Sequence, residues 1–231
     1  MVTSTVSGEG KSFIALNMAA VLSIAGKKVA LLEFDLRKPR IIKNVGLEKK
    51  PMGLSSFLSK QTDSLIELYY HLESYSTLDV YACGPVPPNP SELMIGERIE
   101  ELFTELRKNS DYIIVDSAPV GLVSDAFNIM EYVDVCLYVV RQRATLKKQL
   151  YFVNDMFASK QLKNAGMIIN DVKVGGKYGY YGHHYGYGYG YGYGYGYGYG
   201  YGNGYGVYFD PMEKKSLFRK IFSSWKRKSV G

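Results

Sequence analysis

Short apolar runs alternate with longer segments of mixed polarity over the first three quarters of this chain. Runs this short and nearly continuous are typical of strands that are buried on both faces of a parallel sheet. The predicted strands are Lys28–Phe34, Leu78–Cys83, Tyr112–Val115, Val133–Val140 and Met167–Asn170. The predicted helices are Phe13–Ala25, a segment from Ser91 toward Arg107, and Lys147–Ala158. This alternation predicts a doubly wound, mostly parallel α/β domain over residues 1–175.

The segment before the first predicted helix has the composition of a phosphate-binding loop. Gly8 and Gly10 allow the backbone to turn sharply and to approach a ligand closely. Lys11 would reach the β- and γ-phosphates, and the Ser12 hydroxyl would bind Mg²⁺. The usual pattern begins with a glycine, where this chain has Thr5. The expected nucleotide-binding residues are Gly8, Glu9, Gly10, Lys11, Ser12 and Phe13.

Three carboxylates follow predicted strands, and ligands of doubly wound sheets bind at that edge. Asp116 could help to hold Mg²⁺, although an aspartate after a strand is also a common turn or helix cap. Glu33 and Asp35 point the same way if the chain is extended, so they could share the metal and accept a hydroxyl proton. The alternative for this pair is a solvated charged turn. The neighbouring cations could neutralise phosphate or balance these acids, and they are Arg37, Lys38 and Arg40.

Composition divides the rest of the chain into two segments. Most of the 22 tyrosines and 25 glycines of the 231 residues lie in a tract at residues 176–211. Residues 212–231 hold seven Lys or Arg and one Glu, which accounts for the whole net charge of +6 and leaves residues 1–211 neutral. Nothing therefore indicates a nucleic-acid-binding face. The last segment has apolar residues at helical spacing, which suits either an anionic membrane surface or a solvated docking tail.

The motifs together resemble the cytoplasmic kinase domain of bacterial tyrosine kinases, the Walker-motif enzymes of capsule and exopolysaccharide synthesis. Ser4–Ser12 is similar to their Walker A motif, Leu31–Pro39 to their second Walker motif, and Ile113–Pro119 to their Walker B motif. Gly84–Leu93, with the sequence GPVPPNPSEL, and Asp125–Arg141 also fit this family. The resemblance implies a P-loop fold over residues 2–175.

The resemblance also implies roles for individual residues and two cofactors, ATP and Mg²⁺. Lys11 would bind the phosphates, and the metal would be held by Ser12, Asp35 and Asp116. The base that takes the tyrosine proton would be Glu33 or Asp35, since Glu33 stands where the family has an aspartate. The expected catalytic residues are Lys11, Glu33, Asp35 and Asp116, and Asn170 would touch the adenine.

The tyrosine tract is the expected substrate, because C-terminal tyrosine clusters are autophosphorylation sites in the family that this chain resembles. The expected sites alternate with glycine: Tyr185, Tyr187, Tyr189, Tyr191, Tyr193, Tyr195, Tyr197, Tyr199 and Tyr201. The alternative is an aromatic segment that self-associates or binds sugar. Phosphorylation in trans within a homo-oligomer is expected to change the oligomeric state by charge repulsion.

The family further implies a membrane-embedded polysaccharide co-polymerase or activator protein as partner. With no apolar run long enough to span a bilayer, the chain is expected in the cytoplasm, at the inner face of the cell membrane. Only Met1–Ser4 precede the loop, so the central strand is expected to be largely missing. Two other functions remain open: an ATPase switch of the septum-site or plasmid-partition type, and a nucleotide-binding relic that serves as an adaptor. The first type carries a second lysine where this chain has Val6.

Overall fold

The structure is a computed structural model that describes residues 1–173 apart from positions 73, 124, 160 and 163. The tyrosine tract with its expected phosphorylation sites, the basic tail and the boundary near residue 175 all lie outside the described residues. Within the described ranges no helix is both long and apolar enough to cross a membrane.

A seven-stranded sheet forms the centre of the described part, with the strand order β3-β4-β2-β5-β1-β6-β7. Its strands are β1 (Val2–Ser4), β2 (Val29–Phe34), β3 (Tyr69–Leu72), β4 (Tyr75–Tyr81), β5 (Tyr112–Ser117), β6 (Cys136–Arg141) and β7 (Ala165–Asn170). All neighbours pair in parallel except β3, which runs antiparallel to β4 at one edge. The predicted mostly parallel sheet is confirmed, and β3 is a strand that the sequence did not indicate.

Helices cover both faces of the sheet, as the continuous burial of β2 requires. The helices are α1 (Lys11–Ile24), α2 (Ile41–Val45), α3 (Leu54–Leu58), α4 (Pro90–Leu93), α5 (Arg98–Asn109), α6 (Asp125–Asn128) and α7 (Lys147–Ala158). One face packs against α1, which contacts β1, β2, β4 and β5. On the other face alternate residues of β2, among them Leu32 and Phe34, join a core cluster with Phe103 of α5 and Met156 of α7.

Two predicted helices differ from the observed ones. The segment predicted as one helix from Ser91 toward Arg107 is two helices, because α4 ends at Leu93 and α5 starts only at Arg98. Gly96 lies between them, and glycine weakens a helix by about 1 kcal/mol relative to alanine. Helix α1 starts at Lys11, two residues before the predicted start at Phe13, and it buries mainly one side. On its other side Val21 and Ile24 are 64% and 73% exposed.

The central strand, which we expected to be largely missing, is present as the three-residue strand β1. It pairs with β5 through Val2 and with β6 along its whole length. The backbone of Met1 extends this pairing, because Leu137 N donates to Met1 O at 2.8 Å and the Met1 amino group donates to Val135 O at 2.8 Å. Although β5 and β6 have six residues each, the short strand still links them into one sheet and places the loop that follows it.

Candidate functional site

The predicted phosphate-binding loop leaves β1 at the edge of the sheet and runs into α1. Gly8 and Gly10 have φ values of +90° and +104°, a region in which side chains with a Cβ are strained. Gly10 is the N-cap of α1. The backbone amides at the start of α1, at Lys11 and Ser12, therefore open toward the loop. A helix N-terminus of this kind attracts anions through its dipole and its unpaired N–H groups.

Thr5 can stand in place of the usual glycine because the backbone at this position does not adopt the positive φ that favours glycine. Its φ is not among the positive values of the described residues. Its hydroxyl is 2.5 Å from the Tyr138 hydroxyl, and Thr5 is only 5% exposed. Gly121 makes room for the Thr5 side chain, since a Cβ at position 121 would lie 2.7 Å from Thr5 Cγ2. The departure from the usual pattern is thus compensated by a glycine elsewhere in the chain.

The loop is braced by its own buried carboxylate, that of Glu9. Glu9 is 1% exposed, and its Oε2 accepts a hydrogen bond of 2.9 Å from Val6 N. Its Oε1 accepts a hydrogen bond from the Thr145 hydroxyl. The Thr145 hydroxyl in turn accepts one from Arg141 N at 2.8 Å. Glu9 therefore fastens the loop internally and ties it to the segment between β6 and α7.

Two further side chains hold the loop from the end of β7 and β6. Asn170 Nδ2 donates to the Glu9 carbonyl oxygen at 2.9 Å. The Arg141 guanidinium donates to the Gly8 carbonyl oxygen at 3.1 Å and forms an ion pair with Asp171. Asn170 was expected to touch the adenine, and that expectation stays a prediction; the hydrogen bond seen here is from its side-chain amide to the loop backbone. These contacts fix the loop without using the amides of the first turn of α1.

Lys11 and Asp116 lie close together beneath the loop. Burial lowers the pKa of Lys11, and Asp116 and Asp35 oppose that shift because their negative charges lie nearby. Burial raises the pKa of Asp116 to about 7, against the effects of a hydrogen bond from Ser12 and of the Lys11 charge. Among the described residues, Asp116 Oδ1 is the one buried side-chain nitrogen or oxygen atom that has no hydrogen-bond partner.

The unpaired Oδ1 of Asp116 is suited to bind a cation that prefers oxygen ligands. Carboxylate and hydroxyl oxygens are the ligands of Mg²⁺, which keeps several waters and binds phosphate oxygens as well. Asp116 and Ser12 offer such oxygens next to the loop. The described ranges contain no group of three or more His, Cys, Asp or Glu side chains that could hold a metal by themselves. The arrangement therefore suits a metal that arrives with a phosphate ligand.

Glu33 and Asp35, the two candidates for the base, have different surroundings. Glu33 is 2% exposed, and its two oxygens accept hydrogen bonds from Ile41 N and from Cys83 N. Burial raises the pKa of Glu33 in spite of those bonds. Asp35 is only half-buried, and its Oδ1 accepts a hydrogen bond of 3.1 Å from Lys38 N. Of the pair, Asp35 is the one whose carboxylate remains accessible beside Lys11 and Asp116.

The structure thus brings most of the predicted site residues together at one edge of the sheet. Those assembled there are Gly8, Glu9, Gly10, Lys11, Ser12, Phe13, Glu33, Asp35, Asp116 and Asn170. Sequence reasoning did not find the brace formed by Thr145 and Arg141. Those residues are separated from Glu9 and Gly8 by 136 and 133 positions, and no local pattern marks them.

A cavity of about 490 Å³ lies away from this edge. The residues that line it include Met1, Leu22, Phe103 and Tyr112. None of the residues predicted for phosphate or metal lines it. The cavity therefore does not define the candidate site.

Comparison with known proteins places this arrangement among nucleotide-binding domains. The family described as "CobQ/CobB/MinD/ParA nucleotide binding domain" matches residues 1–179. The tyrosine-protein kinase YwqD of Bacillus subtilis is 37% identical over 184 residues, which cover 79% of this chain and 76% of that protein. A putative tyrosine-protein kinase in the cps region of Klebsiella pneumoniae is 34% identical over 181 residues, 78% of this chain. The chain spans only 25% of the length of the Klebsiella protein.

Two solved structures resemble the chain to different degrees. The chimerical protein CapA2B2 matches with a TM-score of 0.69 and 31% identity over 74% of each chain. The septum-site-determining protein MinD of Pyrococcus horikoshii, solved with Mg-ADP, matches with a TM-score of 0.58 and 20% identity over 73% of this chain and 69% of that one. The second match supports the fold alone, and the predicted P-loop fold is confirmed.

Proposed function

We propose a function from one premise: the chain belongs to the CobQ/CobB/MinD/ParA nucleotide-binding family and, within it, to the bacterial tyrosine-protein kinases. The proposed activity is transfer of the γ-phosphoryl group of ATP to protein tyrosine, chiefly tyrosines of this chain's own C-terminal tract. The observation that carries the proposal is the placement of Lys11, Ser12 and the free Oδ1 of Asp116 under a preformed phosphate loop, with an accessible carboxylate, Asp35, beside them.

The phosphate loop would supply most of the binding energy for the nucleotide. In the proposed complex the amides of Gly8 to Phe13 and the Lys11 ammonium bind the phosphate oxygens. Ser12 and Asp116 would hold Mg²⁺, which when bound would supply positive charge against the charge that develops during transfer. Because phosphoryl transfer depends mainly on positioning and charge stabilisation, a rigid loop with buried bracing suits it.

Asp35 is the proposed base for the tyrosine hydroxyl. A tyrosine has an ordinary pKa of about 10, so a nearby carboxylate helps by orienting the hydroxyl and accepting its proton. Glu33 is the weaker candidate, because both of its oxygens already accept backbone hydrogen bonds. Asp35, which the sequence also suggested as a metal ligand, is given the base role in this proposal, and the metal is assigned to Ser12 and Asp116.

The proposed acceptors are the alternating tyrosines between Tyr185 and Tyr201, phosphorylated in trans between copies of the chain. Each phosphate adds roughly −1.5 to −2 charges at neutral pH. The basic segment after the tract carries +6. A few phosphates would cancel that charge and change how copies associate with one another or with an anionic membrane surface.

The proposed setting is capsule or exopolysaccharide synthesis at the inner face of the cell membrane. The match to a kinase in the cps region of Klebsiella pneumoniae supports it. The proposed partner is a membrane-embedded polysaccharide co-polymerase or activator protein, as the resemblance to the kinase family implies. A septum-site type of ATPase switch is the weaker alternative, because its structural match is more distant and Val6 stands where that type has a lysine.

The test is phosphotyrosine formation by the purified full chain with ATP and Mg²⁺, mapped by mass spectrometry. We expect phosphate on the tract tyrosines of the native chain and none on Lys11→Ala, with Lys27→Ala, an exposed lysine, as the matched control. Transfer in trans predicts that Lys11→Ala gains phosphotyrosine when it is mixed with an active chain lacking the tract. Phosphotyrosine on Lys11→Ala incubated alone would overturn the assignment, and ATP hydrolysis without phosphotyrosine would favour the ATPase switch.

A further inference from the structure

Three of the segments that carried the family resemblance meet at one point on the rim of the candidate site. The first is the loop after β2, which holds Arg37. The second is the proline-rich segment that ends in α4 and holds Ser91. The third begins at Asp125, the first residue of α6. They are distant in sequence, and the nucleotide chemistry proposed above uses none of these three side chains.

The three side chains form a closed set of hydrogen bonds. Arg37 Nε donates to Asp125 Oδ2 at 2.7 Å, and the same guanidinium donates to the Ser91 hydroxyl at 2.8 Å. The Ser91 hydroxyl donates to Asp125 Oδ1 at 2.7 Å. Each oxygen of Asp125 therefore has a donor, and each member of the set contacts both of the others.

Asp125 is the buried member of the set, with a side chain only 2% exposed against 41% for Arg37. Burial acts to raise the pKa of Asp125, but the hydrogen bonds from Arg37 and Ser91 outweigh it and hold that pKa below its ordinary value. A buried carboxylate with this many donors is costly to leave unpaired. The Arg37 side chain is therefore held in one place, and the backbone of its loop with it.

Asp35 lies between this set and a second anchor. Glu33, two residues before Asp35, is fixed by the amides of Ile41 and Cys83. Arg37, two residues after it, is fixed by Asp125 and Ser91. Because the side chains on both sides of Asp35 are held, its backbone has little freedom to turn. The Lys38 amide limits it further, because it donates to Asp35 Oδ1.

We propose that Arg37, Ser91 and Asp125 are positioning residues that set the direction of the Asp35 carboxylate for the acceptor hydroxyl. This inference rests on the proposed function, and it assigns a role to the proline-rich segment and to the start of α6, which otherwise have none in the reaction. The set acts on the acceptor side of the reaction and not on nucleotide binding, because its members contact neither the phosphate loop nor Lys11. The misplacement of a reacting group by about 1 Å can cost about 100-fold in rate.

The experiment compares Arg37→Met with Lys43→Met in the full chain. Lys43 is exposed on α2, so the control removes the same charge near the same loop without touching the set. Arg37→Met should lower the rate of phosphotyrosine formation at saturating ATP about 10- to 100-fold while the affinity for Mg·ADP, measured by calorimetry, changes less than about threefold. Lys43→Met should match the native chain in both measurements.

Two further measurements keep the result interpretable if Arg37→Met folds poorly. Ser91→Ala leaves the Arg37–Asp125 ion pair and should give a smaller loss, which Ser91→Thr, with its hydroxyl restored, should largely recover. Hydrogen exchange should show faster exchange at residues 35–41 in Arg37→Met and in Ser91→Ala, and unchanged exchange at residues 5–12.

Equal transfer rates in Arg37→Met and Lys43→Met, or a loss of Mg·ADP affinity that equals the loss of rate, would overturn the positioning role. If the native chain forms no phosphotyrosine at all, the proposed kinase function fails. The hydrogen-exchange comparison would then still decide whether the set holds the loop that carries Asp35.

Discussion

The phosphate loop and the loop after β2 leave the same edge of the sheet but are held differently. Besides its own Glu9, the phosphate loop is held by distant side chains that donate to its backbone, as Asn170 and Arg141 do. The loop after β2 is held by its own side chains, because the Glu33 carboxylate accepts from backbone amides and Arg37 donates to a buried carboxylate. The first arrangement leaves backbone amides free for phosphate, and the second leaves one carboxylate, Asp35, accessible.

Because of this difference, substitutions in the two loops should affect different steps, nucleotide binding and phosphoryl transfer. Changes at the phosphate loop should weaken nucleotide binding. Changes at the loop after β2 should slow transfer while nucleotide binding persists. Asp116 lies between the two regions, within electrostatic reach of Lys11 on one side and of Asp35 on the other. Its substitution should therefore affect both regions and give the largest effect.

Asp116→Asn should reduce phosphotyrosine formation about 1,000-fold, because it removes a metal ligand and its charge from the site. The same variant should be more stable without ligand at pH 8, by about 1 kcal/mol or an upward shift of a few degrees in Tm. The exposed residue Asp155 supplies the control, Asp155→Asn. If Asp116→Asn were less stable than the native chain, the result would contradict the view that burying this carboxylate destabilises the folded chain.

The pH dependence of stability follows from the same carboxylate. Its pKa is raised to about 7 in the folded chain, above an unfolded value of about 4. Between those values the folded chain keeps the proton that the unfolded chain releases, so the stability of the native chain should fall as the pH rises from about 4 to about 7. Asp116→Asn should lose this part of the dependence, which thermal unfolding at several pH values would measure.

Gly10→Ala should weaken Mg·ADP binding about 100-fold, which corresponds to about 3 kcal/mol. Its φ of +104° strains any other residue, and a Cβ there would lie 2.0 Å from Asn170 Nδ2. Gly8→Ala is the matched variant, since its φ of +90° is similar but its Cβ would meet nothing within 4 Å. It should lose only about 10-fold, from strain alone. Equal losses in the two variants would show that Asn170 does not brace the loop.

The smallest effect should come from Thr5→Val, which keeps the shape of the side chain and removes the hydroxyl that meets Tyr138. Leaving the buried Tyr138 hydroxyl unpaired should cost about 1–2 kcal/mol of stability in urea unfolding. Nucleotide affinity should change by less than about threefold, because Thr5 is not a phosphate ligand in this account. Thr5→Ser should restore the stability, and a failure to do so would assign the loss to packing.

The sequence predicted the sheet and the phosphate loop because both have local signatures. Helix α7 was predicted with its observed bounds, Lys147–Ala158, and the buried strands followed from their apolar runs. Gly8 and Gly10 marked the loop because its conformation requires them. The break between α4 and α5 and the antiparallel strand β3 were not predicted. The break has a local marker in Gly96, whereas β3 depends on its pairing with β4, which a local pattern does not show.

The roles of the two acids could not be read from their spacing. The spacing placed Glu33 and Asp35 near one another, but it did not reveal that the Cys83 amide, 50 residues away, uses one of the Glu33 oxygens. Among the neighbouring cations, Arg37 forms its ion pair with the buried Asp125, a partner that the sequence did not suggest. Such partners are set by strand order and loop length, and neither appears in a local pattern.

The most direct test of this division compares Asp35→Asn with Glu33→Gln in the same full chain, measuring Mg·ADP affinity, phosphotyrosine formation and urea unfolding. Asp35→Asn should bind Mg·ADP within about threefold of the native chain and transfer phosphate about 100-fold more slowly, with little loss of stability. Glu33→Gln should be less stable by about 2 kcal/mol, because its amide group would face a backbone N–H donor, and should transfer normally once folded. A folded Glu33→Gln that transfers as slowly as Asp35→Asn, or an Asp35→Asn that loses Mg·ADP binding and transfer together, would contradict the account.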